Sequence, residues 1–276
     1  MATNSRYVSR LAATCVVVLA IAGCSSSSPG PDEAKSGDGG TPNAAAQTLP
    51  SDPRQFVAAA MKAHSSEAAL AQARLGRTKK RSTLYKDKTT YATQTETCLY
   101  QLPDRLFRMV ELEANGKKGT LVFVYRGQEG WLNKDGAVVE RPPRENEVSR
   151  VYPVGLLNGL RDLLEPKNSL AYIRSAANDQ DKEVGIRVTG AENADYFFDK
   201  QRKLLVRVVT TRTDPVAKSS GTAEVRFSNF REMHGFTIAF SGQGYHDGTL
   251  REEWTLDEFN VLRHIDDKVF SKPEGE

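Results

Sequence analysis

Five segments between Glu183 and Pro273 decide the fold: EVGIRVT (183–189), LLVRVV (204–209), AEVRF (223–227), FTIAF (236–240) and LREEWTL (250–256). Apolar residues recur in them at every second position, which is the side-chain period of a strand sealed on one face. Val184, Ile186 and Val188 share one face. After the turn at Asp199-Lys200-Gln201, Leu204, Val206 and Val208 share it. The series continues through Ala223, Val225 and Phe227, then Phe236, Ile238 and Phe240, then Leu250, Trp254 and Leu256. Turn residues separate the segments, so the stretch predicts an antiparallel meander whose second face meets water or a ligand. Gly242-Gln243-Gly244 marks a bulge or bend within it. No catalytic motif falls on the meander.

Upstream the pattern repeats. Strands are expected from about Ser82 through Glu96–Tyr100, Arg105–Leu112 and Thr120–Tyr125, with turns at Leu102-Pro103-Asp104 and Asn115-Gly116. Gly127–Trp131 and Asn133–Gly136 form a further hairpin. Ser51-Asp52-Pro53 reads as a helix start, followed by Phe56, Val57, Ala60, Met61 and His64 on one face. A second short helix begins at Ser65 or Ser66 and ends before Gly76, with Leu70 and Ala73 inward. The basic cluster Arg74, Arg77, Lys79, Lys80 and Arg81 reads as a solvated loop and strand edge. Between Glu145 and Leu164 the period turns helical, and Pro153 should divide that segment in two. An apolar helix between two sets of strands needs a surface to cover, and the concave face of the sheet supplies one.

The amino terminus carries a different signal. Arg6 and Arg10 precede the apolar run Leu11–Ala22, too short for a comfortable membrane span and shaped like an export signal. Its end, Ile21-Ala22-Gly23-Cys24, resembles the lipobox of bacterial lipoproteins. That resemblance implies a signal peptide over 1–23, cleavage before Cys24 and lipidation of its thiol, which anchors the chain on a membrane. Residues 24–50 are rich in Ser, Gly, Pro and Ala and read as a flexible spacer. Ser25 stands where an Asp would resemble an inner-membrane retention signal, which favours the outer membrane. The globular domain is expected over 51–273, with 274–276 as a tail.

The chain has 38 basic and 35 acidic side chains. Loss of Arg6 and Arg10 with the leader brings it close to neutrality, so no nucleic-acid partner is expected. His64, His234, His246 and His264 lack any metal-ligand spacing, and no metal or cofactor is expected. The carboxylates Glu252, Glu253, Asp257, Glu258, Asp266 and Asp267 read as a solvated edge, since strand neighbours point to opposite faces. There is no nucleophile elbow and no phosphate loop, so no enzyme is expected. Cys98 is expected to pack in the sheet as a small hydrophobe.

The order of short motifs adds a resemblance. The Met61-Lys62-Ala63-His64 helix, the Leu102-Pro103-Asp104-Arg105 turn, the Gly130-Trp131 hairpin and the leucine-rich helix come first. Tyr196-Phe197-Phe198-Asp199, Phe230-Arg231-Glu232-Met233-His234-Gly235 and the ending Asp266–Pro273 follow. In that order they resemble the LolA-like family, proteins akin to the outer-membrane lipoprotein-sorting carrier. The resemblance implies an α+β, mostly β fold: an unclosed antiparallel barrel of about eleven strands with helices covering its cavity. It also implies a non-enzymatic, monomeric, periplasm-facing binder of lipid or acylated lipoprotein; the alternative is an envelope sensor or scaffold that uses the same fold to bind a protein. The side chains expected at such a cavity are Phe107, Phe123, Trp131, Leu157, Leu160, Phe227, Phe236, Ile238, Phe240 and Trp254.

Overall fold

Alternation at period two fixes nearly every element. The structure, a computed structural model, describes residues 49–143, 147–148, 151–173, 182–190, 193–213 and 220–275. The expected leader, Cys24 and most of the spacer lie outside the described residues.

Two antiparallel meanders make the sheet. The first comprises β1 (Leu75–Lys86), β2 (Thr89–Gln101), β3 (Arg105–Ala114), β4 (Lys117–Arg126), β5 (Glu129–Lys134) and β6 (Ala137–Glu140). The second comprises β7 (Ser169–Ile173), β8 (Glu183–Thr189), β9 (Ala194–Asp199), β10 (Leu205–Thr213), β11 (Ser220–Met233), β12 (Phe236–His246) and β13 (Thr249–Val261). Pairing of β1 with β13 fuses them into one thirteen-stranded sheet, which ends at β6 on one side and β7 on the other. The sheet is therefore unclosed, with two strands more than the family resemblance implies; short β6 and β7 are its edges.

Five two-residue hairpins hold the register. Asp87-Lys88, Asn115-Gly116, Asp135-Gly136, His234-Gly235 and Asp247-Gly248 each place both central residues at positive φ. This is the turn geometry whose twist matches the flanking strands, and it favours Asn, Asp and Gly.

Three helices cover one face: α1 (Pro53–His64), α2 (Glu67–Gln72) and α3 (Val154–Leu163). Asp52 caps α1 by accepting from the Arg54 amide at 2.9 Å, and Pro53 occupies its first turn. Ser66 caps α2 through the Ala69 amide at 3.1 Å. Of the expected two-piece helix before Leu164, the piece after Pro153 is one helix and residues 147–148 form a turn; 144–146 and 149–150 lie outside the described residues. Leu156, Leu157, Leu160 and Leu163 of α3 are buried.

Register corrects three expectations. A shift between Leu205 and Arg207 turns β10, so Leu205 and Val208 are its buried residues, and the expected Leu204–Val206–Val208 face does not form. The basic cluster is no edge: β1 lies between β2 and β13, and Lys80 points inward while Arg77 and Arg81 stay exposed. There Arg81 pairs with Asp257 at 2.6 Å and Arg77 with Glu258 at 3.5 Å. Likewise Glu252 is buried in central β13, whereas its neighbour Glu253 faces out to Tyr85.

One glycine is required by contact. Gly242 of β12 faces Trp254 of β13, and a Cβ there would overlap the indole ring and the Arg226 carbonyl. Gly242→Val is expected to destabilise the domain by about 2 kcal/mol or more through overpacking, seen as a lower urea midpoint followed by tryptophan fluorescence.

Candidate functional site

The helix-covered inner face of the sheet collects most of the expected side chains. Phe123, Leu157, Leu160, Phe227, Phe236, Ile238, Phe240 and Trp254 belong to one buried cluster. Phe227 and Trp254 meet edge to face at 6.3 Å, and Tyr152, just before α3, stacks on Phe227 and packs edge-on to Trp254 at 5.3 Å. The Tyr152 hydroxyl donates to the Ala239 carbonyl at 2.6 Å.

Phe107 and Trp131 lie elsewhere. On β3 the inner series is Leu106, Arg108, Val110 and Leu112, so Phe107 is out of phase with it. Pairing of Phe107 with Val124, and of Val124 with Trp131, carries that opposite phase across β4 to β5. Here the outer face is covered by the chain's end: the 3-10 turn Asp267–Phe270 packs on β3 and β4, and Arg105 pairs with Asp267 at 2.7 Å. The parity of Arg108 and Val110 was the sequence signal that separates these two aromatics from the inner set.

Two latches hold the helices down. Arg54 of α1 donates to the carbonyls of Leu164 at 2.7 Å and Asn168 at 2.5 Å, just past the end of α3. Its positive charge suits a helix carboxyl end. His64, at the end of α1, accepts from the Leu205 amide through Nε2 at 2.8 Å and donates from Nδ1 to the Thr237 carbonyl at 2.7 Å. The ring thus joins β10 to β12, the two neighbours of β11, and the two bonds together require neutral imidazole.

A polar stripe crosses the inner face, which sequence reading missed. From β13 to β3 run Glu252, Lys80, Glu96 and Arg108. Glu252 accepts from Ser82 at 2.7 Å and from Lys80 at 3.4 Å; Glu96 accepts from Arg108 Nε at 3.0 Å. Arg108 and Arg141 both lie over the Phe123 ring, with guanidinium carbons 5.8 and 5.0 Å from its centroid. Arg141 in turn pairs with Glu147 at 3.2 Å, and Tyr125 donates to Glu147 at 2.9 Å. Burial alone would raise the Glu96 pKa, but Arg108 and Lys80 outweigh it and hold the carboxyl below its usual range. Burial opposes the charge on Lys80, yet Glu252 and Glu96 keep its pKa above the ordinary value. The alternation Gln94, Glu96, Cys98, Tyr100 on β2 was the available signal, obscured because charged residues usually mark the solvent side.

Cys98 sits in this series, buried, 3.5 Å from Glu96 Oε1. Burial and the neighbouring carboxylate push its thiol pKa far up, so it is inert. The other histidines are scattered: His234 in a hairpin against Phe259, His246 beside the Arg212 carbonyl, His264 exposed. Among the described residues no three His, Cys, Asp or Glu converge on a metal-binding arrangement.

No family model and no curated protein matches the chain. Among solved structures it is similar in fold to a LolA superfamily protein from Nitrosomonas europaea, at 12% identity over 75% of this chain and 98% of that one, with a TM-score of 0.47. A Vibrio parahaemolyticus domain assigned to outer membrane lipoprotein sorting is 8% identical over 78% of this chain and 97% of its own, with a TM-score of 0.48. A DUF1329 family protein from Desulfovibrio piger is 8% identical over 79% and 96%, with a TM-score of 0.49.

Proposed function

We propose that the protein is a non-enzymatic lipid carrier of the bacterial envelope, tethered through Cys24 and the 24–50 spacer, that holds acyl chains between the helices and the inner face of its sheet. The outer membrane, facing the periplasm, is the location this reading assigns, with the folded domain over 51–273. An acyl chain or an acylated lipoprotein is the ligand, and the chain acts as a monomer.

One observation carries the reading. The link from β6 to β7 joins the two edges of the open sheet, and α3 lies in that link with its leucines buried. A segment strung between both edges can lift away without unpairing a single strand, and lifting it uncovers apolar surface from both meanders. Each acyl methylene sheltered there contributes about 0.8 kcal/mol.

Leu160→Asp puts a carboxylate at a position only 1% exposed, against the inner face. It is expected to weaken binding of a fluorescent acyl lipid by at least tenfold in a chain that retains its β-sheet circular dichroism. Arg54→Ala removes the α3 latch without touching the core, and should speed uptake of the same probe severalfold in stopped-flow mixing. Unchanged affinity and uptake in both folded variants would refute the lid.

A further inference from the structure

The polar stripe of the inner face bears on which lipid is held; this inference rests on the lipid-binding reading and deepens it. Three cations, Lys80, Arg108 and Arg141, run along the ladder with three anions, Glu252, Glu96 and Glu147, and every one has an opposite partner within 3.4 Å. The side chains keep a little exposure, 8% for Lys80 and Glu252 and 14–20% for the other four, so an occupant of the face can touch them. Beside them, Tyr100 on β2 points a buried hydroxyl with no hydrogen-bond partner among the described residues. On the other side stand Trp254 and Leu256 of β13.

We propose that this face selects acyl lipids whose head group is uncharged and rich in ester or hydroxyl oxygens, and rejects lipids with an ionised head. Charge balance is the reason. A carboxylate or phosphate brought to a ladder whose six described side chains already sum to zero leaves one charge buried without a partner, which is heavily disfavoured in a low-dielectric wall. An ester or hydroxyl exchanges hydrogen bonds with Arg108 or Glu96, which keep some exposure, and leaves the sum unchanged. The apolar part, from Phe227 and Phe240 to the leucines of α3, takes the chain of such a lipid.

The test compares two ligands with one acyl chain, 1-lauroylglycerol and laurate, titrated calorimetrically at pH 8 into the full chain carrying Cys24→Ala, which cannot be acylated. Lauroylglycerol is expected to bind at least tenfold more tightly, a difference of about 1.4 kcal/mol. Glu96→Gln keeps the shape and removes one anion, so the ratio of laurate affinity to lauroylglycerol affinity should rise tenfold or more. Glu147→Gln, at the other end of the ladder, makes the same change should Glu96→Gln fail to fold. Equal affinities in the parent chain, or that ratio unmoved in the folded variants, would overturn the selection while leaving lipid binding intact. Binding of neither ligand would overturn both.

Discussion

Arg108→Leu should lower the stability of the domain by about 3–5 kcal/mol, because it leaves the Glu96 carboxylate buried beside Lys80 alone. Arg108 Nη2 approaches Glu96 at 2.5 Å and Nε at 3.0 Å, two charge-assisted hydrogen bonds to one carboxylate oxygen. The double variant Arg108→Leu/Glu96→Leu removes both charges and keeps the Lys80–Glu252 pair. It is expected to recover most of the loss, to within about 1–2 kcal/mol of the parent, since paired charges and apolar residues of like volume are nearly equivalent in an interior. Urea denaturation of the three proteins measures both. A single-variant loss under about 1 kcal/mol would mean that water solvates the pair, and the inner wall would not be the dry surface described above.

The second large effect is at His64. Its ring is fully buried and both nitrogens are engaged, so His64→Leu leaves the Leu205 amide and the Thr237 carbonyl without partners. Each unpaired buried group costs about 1–3 kcal/mol, giving an expected loss of about 2–6 kcal/mol for the two. A pH dependence goes with it. Burial lowers the His64 pKa from 6.5, the Thr237 hydrogen bond opposing it only in part. Above that value the ring is neutral in both states and adds no slope. Below it the unfolded chain takes up a proton that the native ring refuses, so stability falls as pH drops from about 6.5 towards the folded value, by at most about 1.4 kcal/mol per unit. Glu96, held low, adds a separate loss only below its ordinary 4.5. Denaturation midpoints at pH 8, 6.5 and 5 should show the upper slope in the parent and its absence in His64→Leu; an equal slope in both would assign it to other groups.

The architecture was legible wherever one face of a strand is purely apolar. Val184, Ile186 and Val188 of β8, or Phe236, Ile238 and Phe240 of β12, announce strand, face and register together. Asn115-Gly116 announces its hairpin through the positive φ both residues must adopt. What failed to show was polar chemistry on the buried side. Lys80 and Glu96 obey the same alternation as their apolar neighbours, but each is buried only because a partner on a paired strand neutralises it, 172 positions away for Lys80 and 12 for Glu96, and a single strand's pattern does not show that partner. Phe107 and Trp131 erred in the opposite sense: they are large and aromatic, yet their phase sends them outward, and the strand of Phe107 lies beneath a cover supplied by residues some 160 positions later in the chain. The β10 register was lost to a one-residue irregularity near Val206, which flips every side chain beyond it.

The measurement that tests the central claim most directly is native mass spectrometry of the full Cys24→Ala chain, purified from cells without detergent and then extracted with organic solvent. A lipid carrier predicts a mass one acyl lipid above the polypeptide, the excess passing into the solvent and diminished in Leu160→Asp. A bare polypeptide mass, still unchanged after incubation with lauroylglycerol, would contradict lipid binding and leave the helix-covered face as a hydrophobic core and nothing more.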